Sequence, residues 1–255
     1  MSSTRIRSIR SIRSIRSIAI TVLLWVYFTG AFVAGYWVVF LFAGILRGRT
    51  GLGWALRSYT RGFLAVVKLA IPPLRLDVPE QRELDDTRGT VVVCNHISFL
   101  DPLLMLVYLP RLITIVRPDF FRVPIFGWLL RGAGFLGPDL FSEGQPWIDR
   151  IARHLRRGGN LLIFPEGTRS RDGRLAPFKK GAFYLAKHLC APIAVLRIAG
   201  TDRIFAPGRL TFDVSAGRAI EIRLLALISA AEATQSTTHE LTVRVREMLE
   251  METAP

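Results

Sequence analysis

The chain has 255 residues, enough for one large domain with an appendage. It carries 34 Lys and Arg against 20 Asp and Glu, a net charge of +14, which calls for an anionic partner: nucleic acid, anionic lipid or a phosphorylated substrate. Hydrophobic residues make up 50% of the chain and mean hydropathy is +0.33, high for a soluble nucleic-acid binder, so membrane contact is favoured and no nucleic acid partner is expected.

Residues 1–18 read as a basic low-complexity tail. Arg5, Arg7, Arg10, Arg13 and Arg16 recur in a three-residue pattern that drifts round a helix axis instead of forming one face, and they suit anionic headgroups. From Ala19 to Leu46 no residue is charged, a length beyond the roughly 20 residues of a spanning helix and too long for a signal peptide. The segment therefore reads as a retained membrane anchor. Arg16 precedes it and Arg47 and Arg49 follow, so the positive-inside rule gives no orientation. A helix that dips in and returns, or lies partly in one leaflet, puts both basic flanks on the cytoplasmic side. A second, mixed helix from Trp54 to Ala70 carries Arg57, Arg61 and Lys68 and suits an interface where long cationic side chains reach the headgroups. Pro72-Pro73 closes it. The chain thus divides into a tail (1–18), a membrane-associated two-helix motif (19–73) and a globular domain (74–255).

Beyond Pro73, strands and helices alternate. Strands are predicted over Leu74–Val78, Thr90–Cys94, Leu112–Val116, Asn160–Phe164, Ile193–Ile198, Leu210–Val214 and Ile220–Leu224. Helices are predicted over Asp101–Tyr108, Ile125–Arg131, Pro146–Arg157, Lys180–His188 and Thr238–Met251. The fold class is α/β, a mostly parallel sheet of about seven strands flanked by helices, with an N-terminal membrane-embedded two-helix motif.

Two strand ends carry chemistry. The run Val91–Cys94 is apolar and stops at Asn95-His96, with Asp101 five residues after the histidine. Ser98 opens a Ser-x-x-Asp helix start. On one continuous helix, residues five apart diverge by roughly 140°, but a histidine in the preceding turn can fold back onto a first-turn carboxylate. Asp101 would accept one ring N–H and leave the other nitrogen as a base. A capped helix preceded by a surface histidine fits the same spacing. The second strand, Leu161–Phe164, ends in Pro165-Glu166-Gly167-Thr168-Arg169-Ser170. Gly167 permits close backbone approach to a ligand, and Arg169 and Arg171 offer planar forks for phosphate, with Lys179 and Lys180 close behind.

Other motifs lack their context. Gly132-Ala133-Gly134-Phe135-Leu136-Gly137 matches GxGxxG, but Pro138 follows where a helix would have to start. Neither a GxSxG nucleophile elbow nor a phosphate-binding GxxxxGK[ST] loop is present. His154, His188 and His239 read as ordinary helix residues. Cys94 and Cys190 form no CxxC pair; both read as small buried apolar residues in a reducing compartment, and no metal site is expected.

Asn95-His96-x4-Asp101 together with Phe164-Pro165-Glu166-Gly167-Thr168-Arg169-Ser170 resembles the glycerolipid acyltransferase family, whose best-known members are lysophosphatidate (1-acylglycerol-3-phosphate) acyltransferases. The resemblance covers roughly residues 70–200, and the N-terminal two-helix motif is similar to that of bacterial members. It implies transfer of an acyl group from acyl-CoA or acyl carrier protein to a lysolipid hydroxyl, without further cofactor and without an enzyme nucleophile. It also implies a bacterial inner-membrane location with the active site on the cytoplasmic side. His96 would be the general base and Asp101 its orienting partner. Glu166, Gly167, Thr168 and Arg169 would bind the acceptor and its phosphate, with Asn95, Ser98, Lys179 and Lys180 as further candidates. Two positions depart from the family pattern. Gly134-Phe135-Leu136-Gly137-Pro138 lacks the arginine of the family's second motif, for which Arg117, Arg122 or Arg131 could substitute, and Pro192-Ile193-Ala194-Val195-Leu196 lacks the second proline of the fourth. The resemblance points to 1-acylglycerol-3-phosphate as acceptor; lyso-ornithine lipid or another lysophospholipid stays open, as does a thioester hydrolase. From composition alone, so does a non-enzymatic membrane-surface protein.

Overall fold

The structure is a computed structural model and describes residues 3–79, 81–137, 146–170, 174–214 and 219–252. In chain order, α1 (Ser3–Ala31) passes through a π-helical turn (Phe32–Tyr36) into α2 (Trp37–Ala70). Then come β1 (Arg75–Asp77), α3 (Gln81–Asp86), β2 (Val91–Cys94), α4 (Leu100–Tyr108), β3 (Leu112–Thr114), α5 (Pro118–Arg122), α6 (Phe126–Ala133) and α7 (Pro146–Arg156). The chain finishes through β4 (Asn160–Ile163), α8 (Gly181–His188), β5 (Ile193–Ala199), α9 (Thr201–Ile204), β6 (Ala219–Ile228), α10 (Ala230–Gln235) and α11 (Thr238–Met251).

The strands form one sheet in the order β1-β6-β5-β2-β4-β3, with every pairing parallel except β5 with β6. The expected parallel α/β architecture is therefore present, with six strands among the described residues instead of seven. Leu210–Val214, predicted as a strand, is irregular. Its backbone bonds lead elsewhere: Phe212 N–H donates to Thr21 Oγ1 at 2.8 Å and Asp213 N–H to the Ile204 carbonyl at 2.8 Å, so the segment docks on α1 and α9. In exchange β6 runs on to Ile228, past the predicted end at Leu224.

β2 lies at the centre and is buried on both faces. Val92 and Cys94 point into one core layer, which also holds Leu100 and Leu104 of α4 and Phe63 and Val67 of α2. Val91 and Val93 point into the other, with Phe183 of α8 and Val245 and Leu249 of α11. The two-helix motif is thus one of the layers that cover the sheet. Its helices double back because Gly48, at φ +54°, breaks α2. The returning half packs along α1: Phe63 meets Phe28 edge to face, and Tyr59 donates to the Phe28 carbonyl. Each such large apolar side chain withdrawn from water contributes about 1.5–3 kcal/mol.

No helix among the described residues is long and apolar enough to cross a membrane. A π-helical turn at Phe32–Tyr36 interrupts the apolar stretch, and the chain folds back beyond it at Gly48, so the stretch forms one arm of a hairpin laid against the domain. Its outer face leaves Ile18, Val22, Val26, Leu41, Phe42, Ile45 and Leu46 exposed. The backbone of residues 3–18 is helical and continuous with the rest of α1, while the arginines from Arg5 to Arg13 lie outside the described side chains. Around Gly134 the chain leaves α6 through a left-handed cap, and Leu136 then bridges to Ile115. No helix starts within Gly134–Gly137, and the residues from Pro138 to Gln145 lie outside the described ones. Arg171 likewise lies outside the described residues. Cys190 is exposed, against expectation, because α8 stops at His188 and the chain then passes through Cys190 in a left-handed conformation, at φ +47°, that turns it out to solvent.

Candidate active site

The site is built on the carboxyl ends of three neighbouring strands, where a parallel sheet opens towards its ligands. After β2 the chain turns through Asn95 to Ser98 before α4 begins at Leu100. His96 Nδ1 lies 2.8 Å from Asp101 Oδ2, the folded-back pairing expected from the spacing. Asp101 is fully buried, and four donors offset its removal from water. Oδ2 accepts from His96 Nδ1 and from the backbone N–H of Ile97 and Ser98, both at 2.7 Å. Oδ1 accepts from the Thr201 hydroxyl at 2.6 Å. With the carboxylate as acceptor, Nδ1 carries the proton and Nε2 presents a lone pair. The His96 side chain is 18% exposed, so the ring is reachable but mostly sheltered.

The capped-helix reading of this turn is also correct, and compatible with the dyad. Asp101 reaches back to the Ser98 N–H as half of a capping box, and Ser98 Oγ accepts from Leu100 N–H at 3.3 Å. Asn95 and Ser98 spend their remaining groups on the scaffold. Asn95 Nδ2 donates to the Ile198 carbonyl at 2.9 Å and its Oδ1 accepts the Ile198 N–H at 2.8 Å, extending the β2–β5 ladder with a side chain. Ser98 Oγ donates to the Phe205 carbonyl at 2.8 Å.

The turn after β4 wraps the histidine. Glu166, buried, accepts the His96 N–H at 2.9 Å on one oxygen and the Ala176 N–H at 3.0 Å on the other. Ser170 N–H donates to the His96 carbonyl at 2.8 Å. Phe164 stacks on the imidazole, ring centres 4.1 Å apart. Glu166 therefore serves as a strut between two backbone segments. Burial raises its carboxyl above the usual 4.5, while the two amides and His96 pull the other way. At Gly167, φ is +71° and an added Cβ would come within 2.8 Å of Lys179 Nζ, so that ammonium lies directly over the exposed turn. Thr168 is exposed and Arg169 half-buried beside it. Lys180 is the residue that starts α8 and is exposed.

The sequence-predicted residues accordingly separate into groups. His96, Asp101, Glu166, Asn95 and Ser98 converge on one buried network. Gly167, Thr168, Arg169 and Lys179 form an outer rim. Two contributors were missed: the Phe164 ring as the floor of the imidazole and the Thr201 hydroxyl behind Asp101. The signal for Thr201 was a third strand-end polar turn, Ala199-Gly200-Thr201, of the same kind as the two that were recognised. Cys94, at the end of β2, is fully buried; burial first, then the Asp101 and Glu166 charges, push its thiol up, which unsuits it for nucleophilic attack. Among the described residues, no group of three or more His, Cys, Asp or Glu side chains could hold a metal ion.

Residues 75–199 match the acyltransferase family model. Over 121 residues the chain is 36% identical to the chloroplastic 1-acyl-sn-glycerol-3-phosphate acyltransferase BAT2 of Brassica napus, covering 46% of this chain and 35% of that one. It is 34% identical over 146 residues to the human 1-acyl-sn-glycerol-3-phosphate acyltransferase beta, covering 56% and 49%. The chain thus spans between a third and a half of the length of these curated relatives. The fold is that of the crystal structure of the 1-acyl-sn-glycerophosphate (LPA) acyltransferase PlsC from Thermotoga maritima, with TM-score 0.74 at 22% identity over 94% of this chain and 96% of that one.

Proposed function

Because residues 75–199 make this chain a member of the acyltransferase family, we propose that it moves a fatty acyl chain from a coenzyme A or acyl carrier protein thioester to the free hydroxyl of 1-acylglycerol-3-phosphate, giving phosphatidic acid. The observation that carries this reading is the buried Asp101 holding His96 Nδ1 at 2.8 Å, with a cationic rim one strand away. His96 Nε2 takes the hydroxyl proton as the oxygen attacks the thioester carbonyl. The carbon–sulfur bond then breaks, and the imidazolium returns the proton to the departing thiolate. The acyl group passes directly between donor and acceptor. Arg169 and Lys179 hold the acceptor phosphate, the first as a planar fork and the second as a point charge.

The hairpin of α1 and α2 lies along the membrane surface. Its exposed apolar residues from Ile18 to Leu46 enter the interface, and Arg16 at one end and Arg47 and Arg49 at the other reach the headgroups. We place it on the cytoplasmic face of a bacterial inner membrane, where both the thioester donors and the lipid acceptors are at hand.

The test is thiol release and lipid product formation by the full chain in detergent or membranes. Acyl-CoA or acyl carrier protein is offered against 1-acylglycerol-3-phosphate, other lysophospholipids and lyso-ornithine lipid. Thiol release should depend on the acceptor and be fastest with 1-acylglycerol-3-phosphate. Faster reaction with lyso-ornithine lipid transfers the assignment to that acceptor. Thiol release without any acceptor makes the protein a hydrolase, and lipid binding without thiol release makes it a non-enzymatic surface protein; either result ends the proposal.

A further inference from the structure

β5 ends at Ala199, Gly200 turns the chain, and Thr201 opens α9, just beyond the stretch matched by the family. Gly200 has φ +81°, and a Cβ there would sit 1.9 Å from the Ala219 carbonyl oxygen, so this turn admits glycine alone. The turn aims the fully buried Thr201 hydroxyl at Asp101 Oδ1, 2.6 Å away. The same segment is fixed on either side of Thr201, by Asn95 on Ile198 before it and by Ser98 on Phe205 after it. Three of the polar residues in the His96 turn therefore grip residues 198–205, about a hundred positions away, and the grip on Thr201 is the one made through the carboxylate that holds His96.

We propose that Thr201 is a positioning residue for the dyad: its hydroxyl fixes Asp101 from the side opposite His96. The inference rests on the acyl-transfer reading, with His96 as base. Oδ2 receives three donors and Oδ1 receives Thr201. Among the described residues, the titratable groups that interact with this carboxylate are His96 in the turn, Cys94 at the end of β2 and Glu166 after β4; α9 contributes the Thr201 hydroxyl. No cation stands among them except His96 when it is protonated. The hydroxyl therefore stabilises the deprotonated dyad, the form with neutral imidazole and charged carboxylate, more than it stabilises the protonated one. Without it the Asp101 carboxylate leans harder on the His96 Nδ1–H, which favours the protonated imidazole, so the variant should lose its working base first at the acid side of the pH range.

The experiment uses the full chain in detergent with Thr201→Val, Thr201→Ala and Thr201→Ser. Two readouts are taken: the pH profile of kcat with acyl-CoA and the best acceptor, and the titration midpoint of the His96 imidazole nitrogens followed by NMR without substrate. Thr201→Val should lower kcat about ten- to a hundredfold at neutral pH, the size expected for stranding one buried acceptor. The deficit should shrink at alkaline pH, and both the acid limb and the NMR midpoint should move upward. Thr201→Ser should behave as the parent protein. If Thr201→Val does not fold, Thr201→Ala carries the same expectation. The proposal is overturned if the folded variant loses activity by one factor at every pH with the midpoint unmoved, or if Thr201→Ser fails as Thr201→Val does. A parent protein that acylates no lysolipid defeats the acyl-transfer reading instead, and the NMR midpoint still decides whether Thr201 tunes the dyad.

Discussion

The turns that follow β2 and β4 leave adjacent parallel strands at the same edge of the sheet, yet they are built on opposite principles. In the first, Asn95, Ser98 and Asp101 are buried and every polar group named is spent on the scaffold or on His96. In the second, Glu166 and Ser170 turn inward, while Gly167, Thr168 and Lys179 stay exposed. A base must be held in one orientation and one tautomer, which calls for a closed, saturated network. A phosphate site must admit and release a charged headgroup, which calls for an open rim. On the proposed acyl-transfer reading, the two turns divide the chemistry of one reaction between a locked element and an accessible one.

Removing His96 breaks the comparison on its locked side and has the largest expected effect. His96→Ala should lower kcat by about 10² to 10⁴, the range for loss of a general base, with little change in KM for the acceptor. The open side should answer differently. Arg169→Ala combined with Lys179→Ala should raise KM for 1-acylglycerol-3-phosphate about a hundredfold, since each charge-assisted bond to phosphate on an exposed rim is worth about 1.5 kcal/mol and two are lost. The same pair should leave kcat and any activity on a phosphate-free lysolipid nearly unchanged. Steady-state kinetics on both acceptors check this, and a double variant that loses kcat but not KM would erase the division of labour.

The locked turn was legible in the sequence and its anchors were not. Spacing allowed His96 to face Asp101 and marked a helix start nearby, without choosing between a dyad and a plain cap, because both depend on residues within one turn of each other. Asn95 and Ser98 could be singled out but not given a role, since their partners, Ile198 and Phe205, lie over a hundred residues away. Glu166 looked like a ligand for the same reason: nothing local says that the amides of His96 and Ala176 will occupy it. Strand composition misled at Leu210–Val214, where the pattern is right for a strand but Thr21 and Ile204 take the backbone bonds. Apolar length at Ala19–Leu46 could not show the fold-back, because the break at Gly48 and the aromatic packing of Phe28 on Phe63 lie partly or wholly beyond the stretch. The strand at β2 and the helix α11 were read correctly because an unbroken apolar run and a helical pattern are local signals.

Glu166 joins the two turns, and Glu166→Gln tests the joint. An amide offers one acceptor where the carboxylate offers two, so one of the His96 and Ala176 N–H groups is left facing an NH2 group. Activity should fall about tenfold, in line with one stranded buried donor. The substitution also has a signature in stability. Burial raises the Glu166 carboxyl above 4.5, so the folded chain holds this proton more tightly than the unfolded chain does. Its contribution is then complete below the unfolded value and is lost as pH rises from there through the folded one. Urea midpoints measured from acid to neutral pH should decline less in Glu166→Gln than in the parent across that window, and parallel curves would show that Glu166 is not the group responsible.

The smallest effect sharpens the border of the open rim. Lys179 and Lys180 are adjacent cations that sequence alone treats as equals. Lys179 lies over Gly167 and its backbone N–H donates to the Pro165 carbonyl at 2.8 Å, which ties it to the turn after β4. Lys180 instead caps the start of α8, exposed, with its carbonyl accepting the Tyr184 N–H at 2.9 Å. Its side-chain charge acts on the acceptor only through solvent and salt, which screen it over about 8 Å at physiological ionic strength. Lys180→Ala should therefore change KM for 1-acylglycerol-3-phosphate by less than about twofold, the size of an ordinary surface substitution. Lys179→Ala alone should exceed it clearly in the same assay. Equal effects of the two would mean that the acceptor phosphate senses a diffuse basic field and not a built contact above Gly167.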